Sequence, residues 1–227
     1  MTNAKLFSFL LLLIGFLPSV SGQSFLNLDF ENSTVSILFP PSPGFPYERG
    51  IAQVEYWGAA ASFVTNYSGG TLLLYNTRSL DATGVFLEGA SYPIPAIQGN
   101  YSVLLDGGSS FYPGREGALL GQTGEIPPWA RSLTFWSTSG SFEASFDAQP
   151  LSLVLLSTAS NHAVYGADVS AYAGLTGHLQ FRAPWQSMGL IDAIQFSPNA
   201  IPEPTLLSLF TAGVLCVVFV RLKAKKF

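Results

Sequence analysis

Residues 23–200 are cut into about a dozen short apolar runs, each closed within a few residues by Gly, Pro, Ser, Asn or Asp, and none gives a helix a sustained buried face. Several runs alternate with period two. Phe142, Ala144 and Phe146 share one side of an extended segment, and Leu133 and Phe135 share one side of another. Ser, Thr, Gly, Val, Phe and Tyr are plentiful there and Lys and Glu scarce, which favours strands. The pattern predicts strands over 25–30, 35–39, 51–56, 72–75, 85–87 and 101–105. Further strands are predicted over 118–122, 133–136, 142–146, 151–156, 164–169, 179–182 and 190–196. The unbroken run 151–156 reads as a central strand buried on both faces, and 167–177 as a short helical turn. With no βαβ alternation, the succession points to an all-β fold, an antiparallel β-sandwich, with a closed barrel as the alternative. Segment 40–50, with four prolines, reads as a rigid exposed loop.

Both ends of the chain have a different character. Lys5 precedes an apolar run over 6–17, Pro18 breaks it, and small residues follow from Ser19 to Gly22. This is the layout of a secretory signal peptide over 1–22, with signal peptidase cutting before Gln23 or one residue earlier. The run is too short to span a bilayer, which needs about 20 residues. A longer apolar run over 206–220 ends in Arg221, Lys223, Lys225 and Lys226. Extended by Leu222 and by basic stems that can snorkel, it reaches the lower limit for a span and reads as a transmembrane helix with its basic end, 221–227, in the cytoplasm and the domain outside. The chain thus divides into a signal peptide (1–22), a β-sandwich domain (23–200) and a tail (201–227).

Composition narrows the partners of the domain. The sole cysteine, Cys216, lies in the C-terminal run, so the domain has no disulfide and depends on packing, with or without a metal. Its cations are five arginines and no lysine, set against nearly all of the chain's fourteen acidic residues. Such a surface excludes nucleic acid and anionic lipid as partners, because both need cationic patches. It suits divalent cations, neutral glycans or plain solubility outside the cell.

Ile201-Pro202-Glu203-Pro204-Thr205, then a hydrophobic helix, then a basic cluster at the end of the chain resembles the sorting signal of the PEP-CTERM family of Gram-negative bacteria. The resemblance covers the last 27 residues, 201–227. It implies recognition of Pro202, Glu203 and Pro204 by an exosortase-like membrane protease that removes the tail. The flanking prolines keep the motif extended and off the helix, as a protease cleft requires. A plain membrane anchor behind a chance Pro-Glu-Pro is the competing reading.

A weaker resemblance concerns the middle. Asn27-Leu28-Asp29-Phe30-Glu31-Asn32, the segment 99–107 and Leu190-Ile191-Asp192-Ala193-Ile194-Gln195-Phe196 are similar to pieces of jelly-roll carbohydrate-binding modules. That resemblance implies a structural calcium ion between first and last strands, ligated by Glu31 and Asp192 with Asp29 nearby, and no other cofactor.

No nucleophile elbow, metalloprotease helix or phosphate loop occurs, and the domain lacks both cysteine and lysine. His162 and His178 read as loop residues rather than catalytic bases. Among loop aromatics, Tyr47, Phe111, Tyr112, Trp129 and Trp185 have the form of sugar-stacking residues, but each reads first as core, as do Trp57 and Trp136. The residues assign no glycan-binding set. The expectation is a non-enzymatic exported protein of the cell surface or extracellular matrix, held at the inner membrane before processing. A glycan-binding module contacting extracellular polysaccharide is the alternative, and an extracellular hydrolase the second alternative.

Overall fold

The computed structural model describes residues 23–60, 65–67, 70–77, 83–93, 95–109 and 117–201. The expected signal peptide, the tail from Pro202, and Phe111 and Tyr112 lie outside the described residues. The first strands are β1 (Ser33–Phe39), β2 (Arg49–Glu55), β3 (Gly58–Ala60), β4 (Thr65–Tyr67) and β5 (Gly70–Tyr75). There follow β6 (Gly84–Gly89), β7 (Tyr101–Asp106), β8 (Ala118–Glu125), β9 (Ser132–Ser137) and β10 (Glu143–Phe146). The last are β11 (Gln149–Leu151), β12 (Val154–Thr158), β13 (Ala163–Asp168), β14 (Thr176–Ala183) and β15 (Met188–Ser197). A single 3₁₀ turn, Ser170–Tyr172, is the only helical element among the described residues and falls inside the expected turn region.

The strands form two sheets. The larger runs β1-β2-β5-β6-β7-β15-β9-β13-β12, with β4 also paired to β5, and the smaller runs β11-β10-β14-β8-β3. Pairing is antiparallel throughout except between β5 and β6. The inward faces meet in one core, in which Trp57, Phe135, Phe146 and Phe181 are buried. Phe181 is wedged between Phe135 (5.1 Å between centroids) and Trp57 (6.4 Å). Burial of each ring contributes about 1.5–3 kcal/mol. Alternation does the sorting: in β14, Leu179, Phe181 and Ala183 point inward while His178, Gln180 and Arg182 point out.

Three sequence expectations are corrected. The run 151–156 is not a central strand. Its start belongs to β11 at the edge of the small sheet and its end to β12 at the edge of the large one, where Val154 and Leu155 are exposed. The strands buried on both faces are instead β6, much of β7 and the first part of β15, because residues 95–100, led by Ile97, cover the outer side of the large sheet. There Phe86, Ile97, Leu104 and Leu190 make a second, smaller core with Trp136. Residues 25–30 do not form a strand either. Asn27 takes a positive φ of 51°, and its side chain donates to the Asn32 and Glu55 carbonyls and accepts from the Asn32 amide. That side chain replaces the ladder the segment would otherwise need. Finally, Trp129 and Trp185 are 55% and 39% exposed and not in the core, whereas Trp57 is wholly buried as expected.

Candidate functional site

Residues 27–32, 99–107 and 190–196 lie next to one another. The Asn27 turn carries Glu31 toward segment 97–101, which β15 approaches from beneath. Phe30, at φ 60°, turns the chain so that its ring is buried 5.5 Å from Trp57 while Glu31 faces out. Glu31 Oε1 accepts from the amides of Asn100 (2.8 Å) and Tyr101 (3.0 Å), and Oε2 from the Asn100 side-chain amide (2.8 Å). Gly99 takes φ +61°, and a side chain there would collide with the Glu31 carboxylate. The left-handed backbone therefore favours glycine, and any side chain there would have to displace the Glu31 carboxylate from its bonds.

Asp192 holds the same segment from inside the protein. It is fully buried, and its Oδ2 accepts from the Ser102 hydroxyl (2.6 Å) and the Gln98 amide (3.0 Å). Its Oδ1 accepts from the Ala193 amide (2.6 Å). A bulge between β15 and β9 makes this possible: Ala193 adopts φ 48°, and the Ile194 amide donates to the Leu28 carbonyl. The extra residue lets Ile191 and Ile194 both face the main core. Burial raises the Asp192 carboxyl from 3.8 to about 6; the Ser102, Ala193 and Gln98 donors oppose that rise, and the nearby Glu31 adds to it. Glu88, also fully buried, stands opposite Ser102 in the β6–β7 register.

This donor set answers hydrogen-bond donors rather than a cation. Ca²⁺ takes six to eight oxygens, whereas the oxygens of Glu31 and Asp192 face N–H and O–H groups. Asp29 turns its Oδ1 to the Glu31 amide (3.3 Å). Among the described residues no group of three or more Asp, Glu, His or Cys is placed to hold a metal. The structure thus joins Glu31 and Asp192 through one peptide segment, and as placed they do not fit calcium. Sequence reasoning missed Ser102, Gln98 and Glu88. The period-two position of Ser102 and Glu88 on otherwise apolar strands was the available signal.

The histidines sit apart. His178 Nδ1 is 3.3 Å from the Thr123 hydroxyl and its backbone amide donates to Asp147, while His162 stacks on Trp136 (4.2 Å, 10°) beside Asn161. Tyr47 is half-buried against Tyr92. At the C-terminal side, the Arg131 amide donates to Ser197 O and the Ser132 hydroxyl to Asn199 O. Ile201 occupies space over β13 that a side chain at Gly166 would fill. The motif Pro202-Glu203-Pro204 lies outside the described residues. No protein-family model, curated protein or solved structure matches this chain.

Proposed function

We propose that this chain is an exported cell-surface or extracellular-matrix protein with a structural or interaction role. Signal peptidase removes residues 1–22, and an exosortase-like membrane protease reads Pro202, Glu203 and Pro204 and removes the tail. The observation that carries this reading is that the domain holds the backbone just before the motif. The core closes between Phe25 and Phe196, and hydrogen bonds pin the backbone as far as Asn199, so the motif starts directly after a fixed exit. The prolines beside Glu203 disfavour helix at the motif, and a cut there would leave the pinned domain whole.

In the finer version of this reading the sandwich is jelly-roll-like. A signal helix precedes it and a transmembrane helix over 206–220 holds the domain outside the inner membrane until the cut. The reading gives His162 and His178 no catalytic role; His162 stacks on Trp136 and His178 lies beside Thr123. One observation favours the glycan-binding alternative: exposed Phe45 and Phe39 flank Arg49, whose guanidinium lies 4.1 and 5.3 Å from their ring centroids. Exposed rings beside a cation, where β1 ends and β2 begins, are the kind of surface on which a sugar ring could stack. Intact mass of the protein recovered from the surface of an exosortase-bearing host tests the proposal. The product should lack both ends, and recovery of the unprocessed 24.3 kDa chain would overturn it.

A further inference from the structure

The chain enters and leaves the domain at one end, and two of its most exposed apolar side chains lie there. β8 finishes at Glu125 beside the start of β14, β13 finishes at Asp168 beside the start of β9, and β15 finishes at Ser197 beside that same start. Connections 126–131 and 169–175 join the two sheets at this end and bond to each other. Ile126 N donates to Leu175 O (3.0 Å), Gly174 N to Ile126 O (2.8 Å) and Val169 N to Arg131 O (3.1 Å). The first described residue, Gln23, accepts from the Glu125 amide here, and the exit over 197–201 is fixed to Arg131 and Ser132. On these connections stand Trp129, 55% exposed, and Leu175, 52% exposed. Trp129 also walls an apolar hollow of about 370 Å³ with Phe25, Leu28 and Phe196.

Only residues 202–205 separate Ile201 from the apolar run beginning at Leu206. Fully extended, that stretch covers about 17 Å. A span starting at Leu206 therefore keeps this end of the domain close to the membrane. We propose that, while the tail is attached, this end seats on the headgroup layer of a zwitterionic bilayer through Trp129 and Leu175. This inference rests on residues 206–220 spanning the membrane. An indole prefers the interface because one edge is polar and the ring apolar. Arg131 and Asp168 stand close together at this end, with Glu125 a further carboxylate, so the seat gains little from lipid charge. The acidic domain would be repelled by anionic lipid. The opposite end supplies an internal control. Trp185, also exposed, lies beyond the start of β15, about 30 Å away along that strand.

The test uses the full chain in phosphatidylcholine vesicles whose acyl chains are brominated near the headgroup, read by tryptophan fluorescence. Bromolipid should quench the wild type; Trp129→Phe should remove most of that quenching, and Trp185→Phe should leave it unchanged. Leu175→Ser should weaken it, and 0.5 M salt should not. A chain that resists alkaline carbonate extraction but whose quenching ignores Trp129→Phe would overturn the seat while leaving the span intact. A chain released by carbonate would overturn the span reading and the seat with it. Cross-linking of two copies through position 129 without bromolipid quenching would overturn the seat in favour of self-association.

Discussion

Replacing Asp192 by asparagine isolates one buried ionisation. In the native protein the carboxyl titrates at about 6 instead of 3.8 because burial disfavours its charged form. Its folded pKa is raised, so its contribution is fully present below pH 3.8, where both states are protonated. The contribution is lost as pH rises through about 6, because the folded protein must then carry a buried charge. At about 1.4 kcal/mol per unit, the shift corresponds to about 3 kcal/mol. An asparagine side chain cannot ionise, yet it also offers one acceptor oxygen where Asp192 serves Ser102, Gln98 and Ala193. A pH-independent cost of about 1–3 kcal/mol is therefore expected as well. Urea unfolding of wild type and Asp192→Asn at pH 4, 5, 6 and 7 separates the two effects. The variant should be the less stable at pH 4 and should gain on the wild type by about 2 kcal/mol by pH 7, since part of the roughly 3 kcal/mol is already lost at pH 4. A stability difference that stays constant from pH 4 to pH 7 would refute the assignment of the buried charge.

Gly99→Ala should destabilise on the order of 2 kcal/mol, from the positive φ and the collision with Glu31, measured as a fall in urea midpoint without a change in slope. EDTA should leave the melting temperature unchanged, since the oxygens of Glu31 and Asp192 already hold hydrogen-bond donors; a clear fall on chelation would restore a structural cation.

The all-β class and most strands were legible because strand periodicity records which side of a sheet faces the core. Phe142, Ala144 and Phe146 are buried together, as are Leu133 and Phe135. Reading failed where tertiary context overrode the local pattern. The run 151–156 looks like a buried strand, but the chain changes sheets inside it, and nothing local marks a crossover. Residues 25–30 have strand composition, yet Asn27 satisfies the backbone with its own side chain. Alternation through β15 breaks at Ala193, because a bulge adds a residue that no alanine announces. Trp129 and Trp185 follow prolines in turns, and their exposure was not readable from size and apolarity. Of the site, Glu31 and Asp192 were singled out and do meet at one segment. Of the chemistry that joins them, the backbone amides leave no mark on the sequence, and only Ser102, polar on an apolar strand, gave a signal.

Whether a protease reads the Pro202-Glu203-Pro204 segment is decided by the tail variant Glu203→Ala. The substitution leaves the prolines, the apolar run 206–220 and the terminal cations untouched, so membrane insertion and orientation should not change. In a host with an exosortase, gel mobility should show wild type losing its last 20 or so residues. Glu203→Ala should accumulate as the longer form in the membrane fraction, whereas an unrelated apolar helix in place of 206–220 should still be processed. Normal processing of Glu203→Ala, or a wild-type chain that never shortens, would contradict the account and leave the tail a simple anchor.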